Sequence, residues 1–428
     1  MNKTKNGKKV EKVLGKHLLD GTIIETIYNP ITENTKLLIV KPDGTVEEPL
    51  EDNPSSRNYG PLFDDHIKRG RVLLPSQHIE CDDPMELLRD VQLAIHKYVE
   101  VGPGFQAISA RFVLMTWVYE RFQKVPYIRV LGPYGSGKSR YLDVMASLCY
   151  HSSKLGEGIT PANIYRWLDQ YPGTLFLDEA DFWGTDKKNV ITQILNGGNS
   201  RDGGVSRCDG PGFKPRLYSS FAPKVLASRQ PYMDDALESR FLTHNSYEKT
   251  RSDIPLNVPA FFEWEEMIIL RNRLLGFRLK YLHNIDTDML INDMNNYEPR
   301  MAEIILPLFQ TTGEKIIPAD LKEFLDGQNE DRLALMGLTD DGIFAEVILN
   351  LYENNDGDNP TIKDVTRIGN QRREPQFPLS ARKVGEIVRG LSLRTHREGR
   401  GYVVQGTPHQ LEWIAKRYGI NGGNGQDG

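Results

Sequence analysis

Cysteine is scarce in this chain. Only Cys81, Cys149 and Cys208 occur in 428 residues, far apart and with no Cys-x-x-Cys pair, so neither a disulfide scaffold nor a zinc site is implied. No apolar run comes near the about 18 residues that a membrane-crossing helix needs, so no membrane partner is expected. The first residues, Met1 to Lys9, are lysine-rich but lack the apolar stretch of a signal peptide. They read as a flexible tail, as does the glycine-rich segment 419–428. These absences point to a cytoplasmic protein. With 39% hydrophobic and 26% charged residues the composition is that of an ordinary globular chain, and the length allows roughly two to four domains.

Against this plain background one segment stands out. Gly132-Pro133-Tyr134-Gly135-Ser136-Gly137-Lys138-Ser139 carries glycines at the two fixed places and then lysine and serine, a complete P-loop pattern. Val125 to Leu131 reads as a short buried strand entering it, and Tyr141 to Cys149 as the helix leaving it. Strand, glycine turn and helix point backbone N–H groups and a helix N-terminus at a polyphosphate. The expected cofactors are ATP and Mg²⁺. Lys138 is expected on the β- and γ-phosphates, the Ser139 hydroxyl on the metal, and Arg140 counts among the nucleotide contacts.

Forty residues after Lys138, the apolar strand Thr174 to Leu177 ends in Asp178-Glu179. Ligands gather at the carboxyl ends of buried parallel strands, which places Asp178 on the Mg²⁺ and Glu179 on the attacking water. A third apolar strand, Lys224 to Ala227, ends at Ser228, a polar side chain able to bond that water or the γ-phosphate. Next comes Leu237-Glu238-Ser239-Arg240-Phe241. This order of P-loop, Asp-Glu strand, polar strand end and Ser-Arg-Phe resembles the AAA+ ATPases. The resemblance implies an α/β P-loop core with a helical lid, and makes Arg240 an arginine finger given to the neighbouring subunit of a homo-oligomeric ring. An always-charged planar fork suits that task.

Charge is unevenly spread. Between Thr361 and Arg417 there are twelve basic and five acidic residues, a net +7 within a chain of formal net charge −5, so the remainder carries −12. Such polarity suggests a nucleic-acid-facing end on an acidic body. Within that stretch, helix patterns at Ile343 to Leu351, Thr361 to Ile368 and after Ser380 precede two extended runs, Leu393 to Thr395 and Gly401 to Gln405. Three helices and a basic hairpin resemble a winged helix-turn-helix. The resemblance puts Arg382 and Lys383 in a DNA groove and Arg397 and Arg400 of the wing on phosphates, although winged helices also serve as protein-binding modules. A glycine-rich stretch after the Asp-Glu strand holds Arg201, Arg207, Lys214 and Arg216. In ring ATPases a hairpin at this point faces the pore, so these are DNA-contact candidates, with packing against a neighbouring subunit the other reading.

The expected organisation is a β-containing region over 1–80, an AAA+-like core over 81–250, a helical lid over 251–335 and a winged helix over 336–418. Either Arg271 or Arg273 of the long helical pattern from Phe261 to His283 could be a nucleotide-sensing lid arginine. From the P-loop onward the chain also resembles the primase-helicase-type ATPases of phages, plasmids and integrated elements. Ile194-Leu195-Asn196, Phe221-Ala222-Pro223-Lys224, Pro299-Arg300-Met301 and Arg400-Gly401-Tyr402 are among the residues that carry it. No primase carboxylate or zinc motif accompanies them. The resulting expectation is an ATP-driven DNA helicase or translocase of a mobile element. A nucleotide-switched initiator or helicase loader, and an ATPase of a defence system, are the alternatives.

Overall fold

A computed structural model of the chain describes residues 10–47, 59–156, 160–178, 185–209, 214–232, 234–247, 250–260, 263–354, 359–373, 377–399 and 401–420. The tails, Glu179 and Arg400 lie outside these. The chain forms two compact units, Met1–Phe324 and Leu325–Gly428.

The first unit opens with strands β1 (Glu11–Val13), β2 (Gly15–His17), β3 (Ile23–Asn29), β4 (Asn34–Val40), β5 (Val46–Glu47) and β6 (Tyr59–Pro61). β2 to β5 make an antiparallel sheet in chain order, and β1 pairs in parallel with β6. Three helices follow: α1 (Asp65–Lys68), α2 (Pro84–Tyr98) and α3 (Pro103–Thr116). Asp83 caps α2 by accepting the Met85 N–H, and Pro84 takes the first helical position, where no intrahelical donor is lost. α3 stops at Thr116, whose hydroxyl bonds Val113 O and accepts the Tyr150 N–H, and a short 3₁₀ turn, Tyr119–Arg121, follows.

An alternating stretch then builds the central sheet: β7 (Tyr127–Leu131), α4 (Lys138–Leu148), β8 (Ser153–Leu155), α5 (Pro161–Gln170), β9 (Leu175–Leu177), α6 (Thr185–Gly197), the hairpin β10 (Gly204–Asp209) and β11 (Lys214–Ser219), β12 (Lys224–Ser228), α7 (Asp235–Glu238) and β13 (Phe241–Asn245). The sheet order is β13-β7-β12-β9-β8, and every neighbouring pair is parallel. β7, β9 and β12 are buried at every residue, which is why their sequences are mostly apolar, with Arg129 in β7 and Lys224 and Ser228 at the ends of β12 the polar members. β8 and β13 are the two edge strands and are only partly buried and partly polar.

Helices α8 (Glu265–Tyr281), α9 (Pro299–Thr312) and α10 (Ala319–Gly337) complete the series to the boundary at Phe324, which falls within α10. α8 is buried all round, not on one stripe: Met267, Leu274 and Phe277 are covered, and so are Arg271, Asn272 and Arg278. A Cβ at Gly276 would lie 1.9 Å from the Ile79 carbonyl, and Asn272 accepts the Ser76 and Gln77 N–H groups. The connection between β6 and α2 therefore packs along α8.

Arg278 is the centre of this arrangement. At 1% side-chain exposure it bonds Glu25 Oε1 of β3 at 2.6 Å, the Trp117 carbonyl at 2.6 Å and Glu120, and lies over the Tyr150 ring. Glu25 is fully buried; Tyr150 donates to it at 2.9 Å and His151 Nε2 lies 3.2 Å from its other oxygen. Burial opposes ionisation of Glu25, yet Arg278 and His151 hold its carboxyl below the ordinary glutamate range.

The second unit contains α11 (Asp340–Asn354), α12 (Ile362–Arg372), α13 (Ala381–Gly390), the hairpin β14 (Arg394–Glu398) and β15 (Gly401–Gln405), and α14 (Pro408–Tyr418). Its core gathers Phe344, Val347, Val365, Val384, Val388 and Val404. Thr361 bridges Val403, and Val404 N–H donates to Pro360 O, so the start of α12 is laid against the hairpin. Thr361, Ser380 and Thr407 cap α12, α13 and α14 through their hydroxyls.

Glu25→Gln leaves Arg278 buried with one carboxylate fewer, and breaking such a pair costs about 3–5 kcal/mol. A lower urea midpoint with little change in slope is expected. Because the native carboxyl titrates below its unfolded value, its contribution is complete above about pH 4.3 and fades as pH falls through the native pKa. The variant should therefore lose stability less steeply than the parent chain on acidification.

Candidate functional site

β7 delivers the chain into the glycine loop at the carboxyl edge of the sheet. Leu131 is in register with Ser228, and the Gly132 N–H donates to the Ser228 carbonyl at 3.3 Å. Gly135 and Gly137 have φ of 81° and 85°, a left-handed backbone that side chains disfavour. A Cβ on Gly132 would lie 2.5 Å from the Ser246 carbonyl. Ser246, directly after β13, donates its N–H to Leu131 O and its hydroxyl to Ser136 O, both at 2.6 Å. Sequence reasoning did not find this serine, because nothing local marks the residue after an edge strand as a brace for a loop more than a hundred positions earlier.

Gly137 is the N-cap of α4 and offers no side chain to cap the first turn. The opening N–H groups of α4 are thus the kind that bind anions. Lys138 Nζ donates to the Gly132 and Pro133 carbonyls at 2.8 and 2.6 Å, folded along the loop that it serves. Ser139 is exposed at the helix start, and Tyr134 is 91% exposed on the loop. Arg140 donates to the Pro255 and Leu256 carbonyls.

Asp178 follows β9, two strands from β7, with Ser228 at the end of the strand between them. At about 4.8 Å per strand, Asp178 and the loop lie about 10 Å apart along one edge. Lys154 of β8 reaches toward this carboxylate at 3.7 Å while holding Asp143 of α4 at 2.6 Å. No local pattern singles out Lys154, because its strand is only three residues long. Ser228 is buried, its hydroxyl donating to Gln230 O at 3.2 Å. The set matches what a magnesium nucleotide requires: a glycine turn with open N–H groups, an ammonium, a hydroxyl at a helix start and a carboxylate on the same edge.

Arg240 stands at the opposite end of the sheet. It precedes β13, whose Phe241 is in register with Tyr127 at the start of β7, whereas the loop begins beyond Leu131. Its turn is held by Glu238, which takes both Nη1 and Nη2 of the buried Arg129 at 2.5 and 2.6 Å and also accepts the Tyr232 N–H. Such a bidentate pair fixes orientation as well as charge.

The β10–β11 hairpin occupies the glycine-rich insertion. Arg207 and Arg216 face each other across it, and Lys214 is exposed near its tip. Arg216 is paired with Asp169 at 2.5 Å. Arg201 instead donates to the Phe122 carbonyl at 3.2 Å and anchors the base of the insertion. The two lid arginine candidates are engaged elsewhere: Arg271 bonds Ser147 O at the far end of α4, and Arg273 pairs with Asp90 of α2. In the second unit, α13 exposes Arg382 (92%) and Lys383, and Arg397 is exposed on the hairpin opposite Tyr402.

No family model matches the chain, and no curated protein matches it. Among solved structures it is similar to two apo structures of the C-terminal region of NrS-1, at 13% and 14% identity and TM-scores of 0.34 and 0.35. Each match covers 89% of this chain and 95% of that one, and the likeness is too distant to bear on fold or activity.

The left-handed glycines of the loop leave a direct signature. Gly137→Ala should cost about 1–2 kcal/mol of stability from backbone conformation alone, since open space surrounds the added methyl. Thermal unfolding of that variant beside Gly399→Ala, whose φ is not in that region, checks it.

Proposed function

We propose that this chain is an ATP hydrolase of the AAA+ type that acts on DNA as a ring-forming helicase or translocase. The observation that carries the reading is the strand order of the central sheet. Counted along the chain, its strands lie fifth, first, fourth, third, second. The P-loop leaves the first, Asp178 the third and Ser228 the fourth, so the three sequence signals meet at one carboxyl edge. This is the crevice where parallel sheets bind ligands.

In this reading Lys138 and the α4 N-terminus hold the phosphates, Ser139 and Asp178 hold the magnesium, Glu179 orients the water, and Ser228 steadies it. Bound magnesium supplies charge neutralisation at the β- and γ-phosphates. Arg240, at the other end of its own sheet, acts on the nucleotide of a neighbouring copy. The basic β10–β11 hairpin and the α13 face of the second unit supply DNA contacts. The three helices, the Thr361–Val403 bridge and the following hairpin support a winged-helix reading of that unit. Assignment to replication of a mobile element rests on the sequence resemblance alone.

A nucleotide-switched initiator or loader is the second reading, favoured by the exposed Arg382 and Lys383 at the start of a capped helix. Steady-state ATPase assays with and without single-stranded and duplex DNA, beside strand separation, divide the two. A motor turns over faster with DNA and separates strands, whereas a switch hydrolyses slowly and binds duplex site-specifically.

Lys138→Ala should abolish nucleotide binding, while Glu179→Gln should retain binding and stall turnover, because the first removes phosphate charge and the second acts on the water. Equal loss of binding in both variants, measured with a fluorescent nucleotide, would overturn these roles. Replacing Arg382, Lys383 and Arg397 together by Ala should weaken DNA binding. Each lost phosphate contact should flatten the log affinity–log salt slope by about 0.9. Basal ATPase activity should be unchanged, and an unaltered slope would make this unit a protein-binding module.

A further inference from the structure

At the amino edge of the sheet lies a cleft of about 380 Å³ that the nucleotide-binding edge does not touch. It is walled by the turn after α6, by Ser239-Arg240 and by the first turn of α9, which contributes Arg300 and Glu303. Two guanidiniums share it with Lys124, Asp202 and Glu303. Arg240 donates through Nε to the Asn199 side-chain oxygen at 3.1 Å, and its Nη1 is buried with no hydrogen-bond partner. Arg300, exposed at the start of α9, donates to the Ser239 hydroxyl at 3.2 Å. The nearest acid on α9, Glu303, is already taken by Lys124 at 2.5 Å.

A buried donor left without an acceptor is costly, and two like charges facing one cleft add to that cost. Burial and then the charge of Arg300 draw the Arg240 guanidinium below its ordinary pKa, against the opposing pull of Tyr127, Asp234 and Glu303. An anion with several acceptor oxygens in the cleft offsets the positive charges that face it. Planar arginine forks suit phosphoryl oxygens, and the Arg129–Glu238 clamp holds the Arg240 turn ready for them.

We infer that Arg300 acts with Arg240 as a second arginine of a receptor for the terminal phosphate of a nucleoside triphosphate bound by another copy of this chain. The inference rests on the ATPase reading above and extends it to a residue that the finger assignment leaves out. The chain's own loop cannot supply the anion. β7 separates the two sites by four residue steps, about 13 Å, and the loop extends from its far end. In this reading a second copy completes the nucleotide site.

The test compares Arg300→Ala, Arg300→Gln and Arg240→Ala for ATP turnover, KM and fluorescent-nucleotide affinity. Arg300 is exposed, so folding should survive; Arg300→Gln keeps a donor for Ser239 and must show the same loss. The expected result is a fall in kcat of roughly 10–100-fold with nucleotide affinity unchanged. Adding Lys138→Ala copies, which keep both arginines but hold no nucleotide, should restore part of the turnover. Adding Lys138→Ala/Arg300→Ala copies should not. Full turnover by Arg300→Ala beside a slow Arg240→Ala overturns the role of Arg300 alone. Full turnover by both variants removes the shared site and with it the action of Arg240 on a neighbour. Loss of activity that mixing does not restore makes Arg300 a packing residue and overturns the inference.

Discussion

A single buried guanidinium holds the first unit together. Arg278 cannot lie at 1% exposure without acceptors around it, and those acceptors come from different parts of the chain: Glu25 from β3, the Trp117 carbonyl and Glu120 from the end of α3. Removing a charge from water costs several kcal/mol, which only well-placed partners offset. The N-terminal sheet, α8 and the end of α3 must therefore converge on one point. Tyr150 and His151, just beyond α4, close the same cluster from the other side. The helix that opens at the glycine loop thus has its far end pinned by this network, and Arg271 adds a bond from α8 to the Ser147 carbonyl.

The parallel sheet then separates charge along its strands. Its carboxyl edge collects a lysine, hydroxyls and carboxylates around open helix N–H groups. Its amino edge collects Arg240, Arg300 and Lys124 beside Asn196, Asn199, Asp202 and Glu303. Between the edges the strands are fully buried and mostly apolar, with Arg129 of β7 and, at the start of β12, Lys224 the charged exceptions. That ammonium is buried at the base of β12, where it donates to the Gly198, Ser220 and Ala222 carbonyls and to Tyr127. Desolvation draws its pKa well below the ordinary lysine value. It knits the end of α6 to the sheet, close to the turn that carries Asn199.

The second unit follows a different logic. Its helices α12, α13 and α14 are short, each with a hydroxyl cap, and its buried core is aliphatic apart from Phe344 and Tyr418. The inward faces of α12 and α13 leave the basic side chains outside by periodicity alone. Nearly all of its ionic contacts are exposed pairs such as Lys383–Glu386, which contribute little to stability, so its charge remains free to meet an outside partner.

What the sequence determined by itself was local. The glycine loop, the apolar strands before Asp178 and Ser228, the cap at Asp83 and the helix faces of the second unit all follow from short-range rules of conformation and periodicity. Those rules carry no information about which distant residues meet. Ser246 bracing Ser136, Lys154 beside Asp178, Arg300 sharing a cleft with Arg240, and Glu25 on Arg278 each join residues many positions apart. The same applies to α8, which reads as a one-faced helix until the segment before α2 covers its other side. Only the tertiary structure decides these, because a buried polar group takes whichever partner the packing of whole elements brings within reach.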